Sequence, residues 1–436
     1  MTRIREMWAR EVLDSRGNPT IEVEIICNGH VSGRGIAPAG ASRGSSEAIE
    51  IRDHDGQRYA GKGVLQAVRI VQEIVAPVLI GRSVEDPASL DRLLVELDGT
   101  PNRSRLGGNV LVAVSVALAQ VAAQIRGLPL YESLAQDASR SGLRRPADDV
   151  LSYILPMPMV NMISGGLHAG QHFEVQDFLI IPRSARSFRQ AMEMVFTVHR
   201  RLGELLRAQG HEASLVADEG GYGPDLEDNE KALEFILQAI DQSGLQQGKD
   251  VVLAIDVAAS HFYRDDRYIL ASRSQQLSSE ELIDYLSGWI KAYPIVSLED
   301  PVAEQDWEAW KLITREWGDR IQLLGDDLFT TNPVRLRDGI SQGIANAVLI
   351  KPNQIGTLTE TFEVMRIAQS AGYRMVLSAR SGETEESWLA DLAVATGVGQ
   401  IKIGCITRSE RLAKYNQLLR IEDRLGEKAR LATVWK

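Results

Sequence analysis

Residues 294–301 read PIVSLEDP, a short apolar run that ends in two acidic residues. An apolar run of this length between prolines predicts a buried β-strand. The same form recurs outward in both directions, in VVLAID (251–256) and IQLLGD (321–326), which also end in a carboxylate. AVLIK (347–351) ends in a lysine, and QIKIG (400–404) contains one. Buried strands that each carry a charged residue near the carboxyl end indicate a parallel barrel with one common mouth.

The apolar segments of the later part of the chain recur as in a (β/α) barrel. Most neighbouring segments are separated by a helical pattern long enough for a βα unit. The predicted strands are 155–163, 175–182, 214–217, 251–255, 295–298, 321–325, 347–350, 375–378 and 400–404. This rhythm predicts a (β/α)8 barrel whose polar strand ends meet at one face.

The first part of the chain has a different pattern. Residues 4–24 alternate as strands do around a tight turn at residues 14–19, which predicts a β-hairpin. After the Gly/Ser-rich run 38–46 the pattern becomes helical. The fold class is therefore α/β, with an N-terminal α+β domain at residues 1–140 and the barrel at 141–436, divided within a polar stretch.

Composition narrows the class of protein. The chain has 436 residues, 44% of them apolar, which suits two packed domains. A net charge of −11 argues against a general nucleic-acid binder. Cys27 and Cys405 are too few for a disulfide framework, which favours a reducing compartment. The N-terminal residues lack the apolar region of a signal peptide, and the apolar stretch 110–125 is too short for a membrane span, so we expect a cytoplasmic protein without membrane contact.

The charged residues at the strand ends suggest a chemistry. Asp256, Glu299 and Asp326 offer three oxygen ligands from separate strands, which suits Mg²⁺, whereas His or Cys would be expected for zinc. A divalent cation there would stabilise the charge formed when a carboxylate substrate loses its α proton. Lys351 or Lys402 near such a cation would have a lowered pKa and act as the base. Any one of these residues alone is more often a helix cap or an ion-pair partner, but their joint occurrence favours enolisation.

A series of long motifs in a fixed order resembles the enolase (phosphopyruvate hydratase) family. The motifs span nearly the whole chain and are far more specific than any short pattern. They are LDSRGNPTIEVE, PAGASRGSSEA, LPMPMVNMISGGLHA, VQDF, ADEGGYGP, AIDVAAS, SLEDP, GDDLFTTN, LIKPNQIGTLTET, RSGETEE, QIKIG and RSERLAKYNQLLRIE.

The resemblance implies binding residues for two magnesium ions and for an anionic substrate. Asp256, Glu299 and Asp326 would hold the first Mg²⁺, and Ser42 would help to hold a second that arrives with the substrate. The residues implied to bind the substrate are Arg380 and Ser381 at its phosphate, Lys402 at its carboxylate, His168 and Ser42.

The resemblance also implies catalytic residues. Lys351 would take the α proton, and Lys402 would contact the substrate carboxylate. Glu219 would be the acid that assists loss of the β-hydroxyl, with His168 beside the leaving group and Asp177 among the residues that support Glu219.

The sequence departs from the family pattern on the leaving-group side of the expected site. Ala379 stands where the family has a histidine, which would leave a space about the size of an imidazole, and Asp177 stands where it has a glutamate. The other departures are Leu167, Gly170, Ala39 and Arg43. The residues expected to abstract the proton and hold the first metal are unchanged.

Three functions stay open at this point. The first is a hydro-lyase of glycolysis that makes phosphoenolpyruvate from 2-phosphoglycerate. The second is a divergent enolase-like enzyme acting on a related phosphorylated or phosphonylated carboxylic acid, as carboxyphosphonoenolpyruvate synthases do. The third is a non-catalytic scaffold that binds a partner. By resemblance we expect a homo-oligomer, a dimer or larger.

Overall fold

The N-terminal part folds as an antiparallel sheet backed by helices. The structure, a computed structural model, describes residues 2–29, 31–41, 44–144, 153–170 and 172–435. The three strands, in the order β1–β2–β3, are β1 (Ile4–Leu13), β2 (Pro19–Cys27) and β3 (Ser32–Ile36). Leu13 pairs with Pro19 across the turn, which confirms the predicted hairpin.

The helical segments of this part follow the sheet in the chain. They are a 3₁₀ turn (Tyr59–Gly61), α1 (Leu65–Ile70), a π-helical segment (Val71–Val75), α2 (Ala76–Leu79), α3 (Pro87–Asp98), α4 (Gly108–Arg126) and α5 (Leu130–Arg140).

Helix α4 is the predicted apolar helix, and it forms the centre of this core. Every residue from 108 to 119 is buried, and the helix ends where Gly127 adopts a left-handed conformation with φ of 63°. Among the described helices it is the one long and apolar enough to cross a bilayer, yet most of it lies inside the protein. The alanines on α4 let the sheet approach closely, because they present little more than backbone to β3.

Glycines on β3 make that close contact possible. A Cβ added at Gly35 would lie 2.1 Å from the backbone oxygen of Ala113 on α4. We expect Gly35→Ala to destabilise the protein by about 3 kcal/mol, since helix or strand must shift. Gly288→Ala is the control, because a Cβ there meets nothing within 4 Å and alanine favours a helix. Urea unfolding midpoints measure both; equal midpoints for the two variants would contradict this packing.

The later part contains thirteen further strands and nine further helices within the described residues. The strands are β4 (Tyr153–Leu155), β5 (Met157–Ser164), β6 (Asp177–Ile181), β7 (Val252–Asp256), β8 (Tyr263–Arg264), β9 (Arg267–Leu270), β10 (Gln275–Leu277), β11 (Ile295–Glu299), β12 (Gln322–Gly325), β13 (Ala347–Ile350), β14 (Arg374–Ser378), β15 (Gln400–Gly404) and β16 (Ala429–Leu431). The helices are α6 (Phe188–Ala208), α7 (Asn229–Gln242), α8 (Ser279–Ala292), α9 (Trp307–Trp317), α10 (Pro333–Ser341), α11 (Pro352–Ile355), α12 (Leu358–Ser370), α13 (Trp388–Thr396) and α14 (Ser409–Leu425).

Eight of these strands close into a barrel, in the order β5–β6–β7–β11–β12–β13–β14–β15. The predicted barrel is therefore confirmed, with two corrections. Residues 214–217 are not a strand of the barrel: they form only an isolated bridge from Val216 to Tyr222, and Leu215 is 72% exposed. Strand β6 runs antiparallel to both neighbours, and the described part of the connection from β5 forms a 3₁₀ turn (Gly166–His168) where a crossover helix would be needed for a parallel pair.

Successive side chains of each strand point to opposite faces of the sheet, so every second side chain points into the barrel. Val252 and Ala254 on β7 and Ala347 and Leu349 on β13 belong to an apolar cluster separate from the main core. Since alternate residues of a strand share a face, the next positions on that face are Asp256 and Lys351. The interior thus has apolar side chains below a charged mouth, together with a buried polar layer in which Gln322 donates to Ser297 and pairs with Gln400.

Candidate active site

Lys402 lies between two of the predicted metal carboxylates. Its Nζ donates to Asp256 Oδ2 at 2.7 Å and to both oxygens of Glu299 at 2.8 Å. All three side chains are almost wholly buried. Burial lowers the pKa of Lys402, but Asp256 and Glu299 raise it more, and the result is well above the ordinary value. Lys402 is therefore a cation in the resting protein.

Asp326 and Lys351 form a second pair at the mouth. Lys351 Nζ donates to Asp326 Oδ2 at 2.5 Å, and Gln354 Nε2 donates to Asp326 Oδ1 at 3.2 Å. Burial lowers the pKa of Lys351, but Asp326 raises it, and the net shift is upward. The protein's own groups do not lower the pKa of Lys351, because its nearest charged neighbour is a carboxylate. The lowering that the sequence suggested depends on a bound divalent cation.

The donor set at this mouth fits a hard divalent cation. Three carboxylates from β7, β11 and the end of β12 face two ammonium groups, which leaves an excess of negative charge. Burial and then Asp256 raise the pKa of Glu299 well above its ordinary value, so a further cation would relieve this crowding. Oxygen ligands of this kind suit Mg²⁺.

Two groups within the described residues, each different from the predicted set, have ligand atoms that lie within 4.8 Å of one another. One consists of Asp300, Asp326 and Asp327. Asp300, however, accepts the backbone N–H groups of Asp326 at 3.0 Å and of Asp327 at 2.7 Å. Its carboxylate therefore holds the turn that presents Asp326.

His168, Asp177 and Glu219 form the other side of the mouth. Their ligand atoms lie within 4.8 Å of one another, and all three side chains are buried. His168 Nδ1 is 2.8 Å from Asp177 Oδ2. Burial lowers the pKa of His168, but Asp177 and Glu219 raise it to about 9. Burial raises the pKa of Glu219, yet the cations around it, His168 foremost, bring it below its ordinary value. The directions of these pKa shifts favour an imidazolium at His168 beside an ionised Glu219.

Arg380 and Ser381 follow β14 and meet the N-terminal part of the chain. Arg380 donates to both oxygens of Glu47 at 3.1 Å. Ser381 Oγ accepts the backbone N–H of Ala41 at 2.6 Å. A bridge between Ala39 and Gly382 joins the same segments. The Gly/Ser-rich segment, so far as it is described, lies packed against the barrel; Ser42 and Arg43 lie outside the described residues.

Two family descriptions match the chain. "Enolase, N-terminal domain" matches residues 4–134, and "Enolase, C-terminal TIM barrel domain" matches residues 152–434. The chain belongs to the enolase family. Membership of the enolase family makes it a lyase of the enolase superfamily, and the suspected resemblance is confirmed. The domain boundary at residues 140 and 141 stays a prediction.

Asp177, which differs from the enolase family pattern, is wholly engaged within the protein. Its Oδ1 accepts from Asn161 Nδ2 at 2.5 Å and from Ser164 Oγ at 2.8 Å, while Oδ2 contacts His168. The residue is 0% exposed. Asp177 therefore contacts His168, which lies beside Glu219, and its place among the residues that support Glu219 stays a prediction.

The charge on His168 makes Asp177→Asn a test of this pair. We expect the His168 pKa to fall from about 9, because the amide cannot stabilise an imidazolium. A raised histidine pKa stabilises the fold fully below about pH 6.5, and the effect is lost as pH rises toward the folded pKa. The unfolding free energy of the variant should therefore vary less between those pH values.

NMR titration of the histidine ring protons measures this change. His199, whose pKa burial lowers to about 4, is an internal control and should not move. An unchanged His168 titration in the variant would show that Asp177 does not set its charge.

Several residues of the site were missed by the sequence analysis. They are Glu47, Gln176, Asp300, Asn353, Gln354 and Arg411. Arg411 on α14 donates to the backbone oxygens of Arg380 and Ser381, each at 2.6 Å, and so holds that loop. Gln354 could have been noticed as a polar residue three positions after Lys351, but nothing in the pattern of α14 singles out Arg411.

Proposed function

We propose that the protein is a Mg²⁺-dependent hydro-lyase that eliminates water from 2-phosphoglycerate to give phosphoenolpyruvate. The observation that supports this most is the convergence of Lys351 and Lys402 with three carboxylates at one barrel mouth. When bound by Asp256, Glu299 and Asp326, Mg²⁺ would offset the charge of the substrate carboxylate and lower the pKa of Lys351. Cytoplasmic location, a homodimeric state and a role in glycolysis belong to the same proposal.

In this reaction, proton removal takes place on one side of the mouth and loss of the hydroxyl group on the other. Lys351 Nζ, as the neutral amine, takes the α proton, and the electron pair of the broken carbon–hydrogen bond forms the new carbon–carbon double bond. The β carbon–oxygen bond breaks, and the departing hydroxide takes a proton from the His168–Glu219 pair to leave as water. Lys402 holds the substrate carboxylate, while Arg380 and Ser381 bind the phosphate.

An absorbance assay tests this proposal. Purified protein with 2-phosphoglycerate and Mg²⁺ should produce the ultraviolet absorbance of the enol product, and a chelator should abolish it. No signal at high enzyme concentration with ample Mg²⁺ would contradict the proposal.

A second substrate class is favoured by the engagement of Asp177. A carboxylate that is 0% exposed and hydrogen-bonded at both oxygens does not face the substrate, and Ala379 offers no polar group beside Arg380. A related phosphorylated or phosphonylated acid would then replace 2-phosphoglycerate. The expected sign is Mg²⁺-dependent exchange of its α proton with deuterium oxide, without product from 2-phosphoglycerate; exchange with neither acid would contradict it.

A further inference from the structure

Glu47 joins the N-terminal part of the chain to the guanidinium group at the mouth. Arg380 Nη1 and Nη2 each donate to one oxygen of Glu47 at 3.1 Å, and Nη1 also donates to Asn353 Oδ1 at 2.9 Å. The side chains of Arg380 and Glu47 are 4% and 5% exposed. A two-bond contact of this kind fixes the plane of the guanidinium as well as its place.

Glu47 is also linked to the Asp326–Lys351 pair through the side-chain amide of Gln354. Its Oε1 accepts from Gln354 Nε2 at 3.2 Å, and the same Nε2 donates to Asp326 Oδ1 at 3.2 Å. Thr331 Oγ1 donates to Gln354 Oε1 at 2.6 Å and so fixes that amide. A single carboxylate thus contacts the group expected at the phosphate and, at one remove, the carboxylate that binds Lys351.

Glu47 could either hold Arg380 in place or compete with the substrate for it, and the burial of the Glu47–Arg380 pair favours the first role. A carboxylate that left Arg380 when an anion arrived would remain buried without its cation, which is costly. Glu47 is further held by the backbone N–H of Gly44 at 3.1 Å. The ion pair therefore persists when substrate binds.

We propose that Glu47 is a positioning residue: it aims Arg380 at the phosphoryl group and, through Gln354, holds Asp326 in place beside Lys351. The inference rests on the proposed function, since it assigns Arg380 to the phosphate. Glu47 belongs to the motif PAGASRGSSEA (38–48), but the sequence analysis gave it no role.

The variant Glu47→Gln tests this role with little change of shape. Its amide has one oxygen where Arg380 and Gln354 need two acceptor positions, so the two-bond contact is lost. We expect at least a tenfold rise in KM and at least a tenfold fall in kcat, with Glu47→Asp recovering part of both. Glu24→Gln is the matched control, because Glu24 contacts Arg10 at 2.6 Å on the N-terminal sheet, and this change should leave both constants within twofold.

Binding of inorganic phosphate with Mg²⁺, measured by calorimetry, tests the same inference without turnover. Removing a negative charge alone would tighten anion binding, whereas loss of orientation weakens it, so the sign decides. At least tenfold weaker binding by Glu47→Gln supports positioning; equal or tighter binding overturns it. If Glu47→Gln does not fold, Glu47→Asp decides, with weaker phosphate binding supporting the role and unchanged binding overturning it.

These measurements separate the two proposals. If the wild-type protein makes no phosphoenolpyruvate, the proposed function fails, while the phosphate comparison still decides the role of Glu47. If the wild type turns over and Glu47→Gln has the same kinetic constants at a temperature where it is folded, only the positioning role fails.

Discussion

Replacing Lys351 by alanine should lower kcat by about 10³-fold, within the range that a general base contributes. The proposed function makes Lys351 the base; it follows β13, and its Nζ lies 2.5 Å from Asp326 Oδ2. Alanine leaves no group there that can take a proton, while the carboxylates and Lys402 stay in place. Binding should change less than turnover, because Lys402 and Arg380 are the groups expected to hold the substrate.

Two readouts check this expectation. The absorbance assay follows product, and exchange of the substrate α proton with deuterium oxide follows the first step alone. Lys311→Ala is a control, since Lys311 pairs with the exposed Glu308 on the surface of α9. This substitution should leave both rates unchanged. Retained exchange in Lys351→Ala would show that another group is the base.

Replacing Lys402 by alanine should destabilise the protein without Mg²⁺ by about 3–5 kcal/mol, the cost of removing one partner of a buried ion pair. Lys402 makes three hydrogen bonds to Asp256 and Glu299, and without it the two carboxylates would face each other across buried space. Mg²⁺ should restore part of the lost stability, because a cation that binds only the folded protein stabilises it.

The pH dependence of this variant has a definite sign. Glu299 already has a raised pKa, and Lys402 is one of the groups that lower it, so the variant should raise it further. The folded state then binds more protons than the unfolded state above the ordinary pKa of glutamate, and stability falls as pH rises. Urea unfolding at pH 6 and pH 8, with and without Mg²⁺, measures this; equal stability at both pH values would contradict the role assigned to Lys402.

Much of the fold was predictable because the strands are buried on both faces. Such strands are continuous apolar runs, and here each run ends in a charged residue, so the runs 251–256, 295–299 and 347–351 marked both the barrel and its charged mouth. The prediction of a strand at residues 214–217 was wrong because it also relied on a short apolar run. Three apolar residues after Ser214 suffice for the pattern, and the exposure of Leu215 and the isolated bridge at Val216 show that they lie outside the barrel.

The ion pairs were less predictable, because they join residues far apart in the chain. Glu47 and Arg380 are 333 positions apart, and Lys402 and Asp256 are 146 apart. Their positions on predicted strands suggested that Lys402 and Asp256 share a mouth, but not that the ammonium lies between two carboxylates. The direction of the Lys351 pKa likewise depends on which charge is nearest, and distance is a property of the folded chain.

The sequence by itself determined that apolar strands would close around a mouth carrying Asp256, Glu299, Asp326, Lys351 and Lys402, since burial and strand alternation act locally. Only the tertiary structure decided how those charges pair. It also decided that β6 runs antiparallel, which brings Asp177 beside Asp256, and that Asp177 contacts His168. Electrostatic pairing in a buried site depends on separations of a few ångströms between distant segments, which no local pattern encodes.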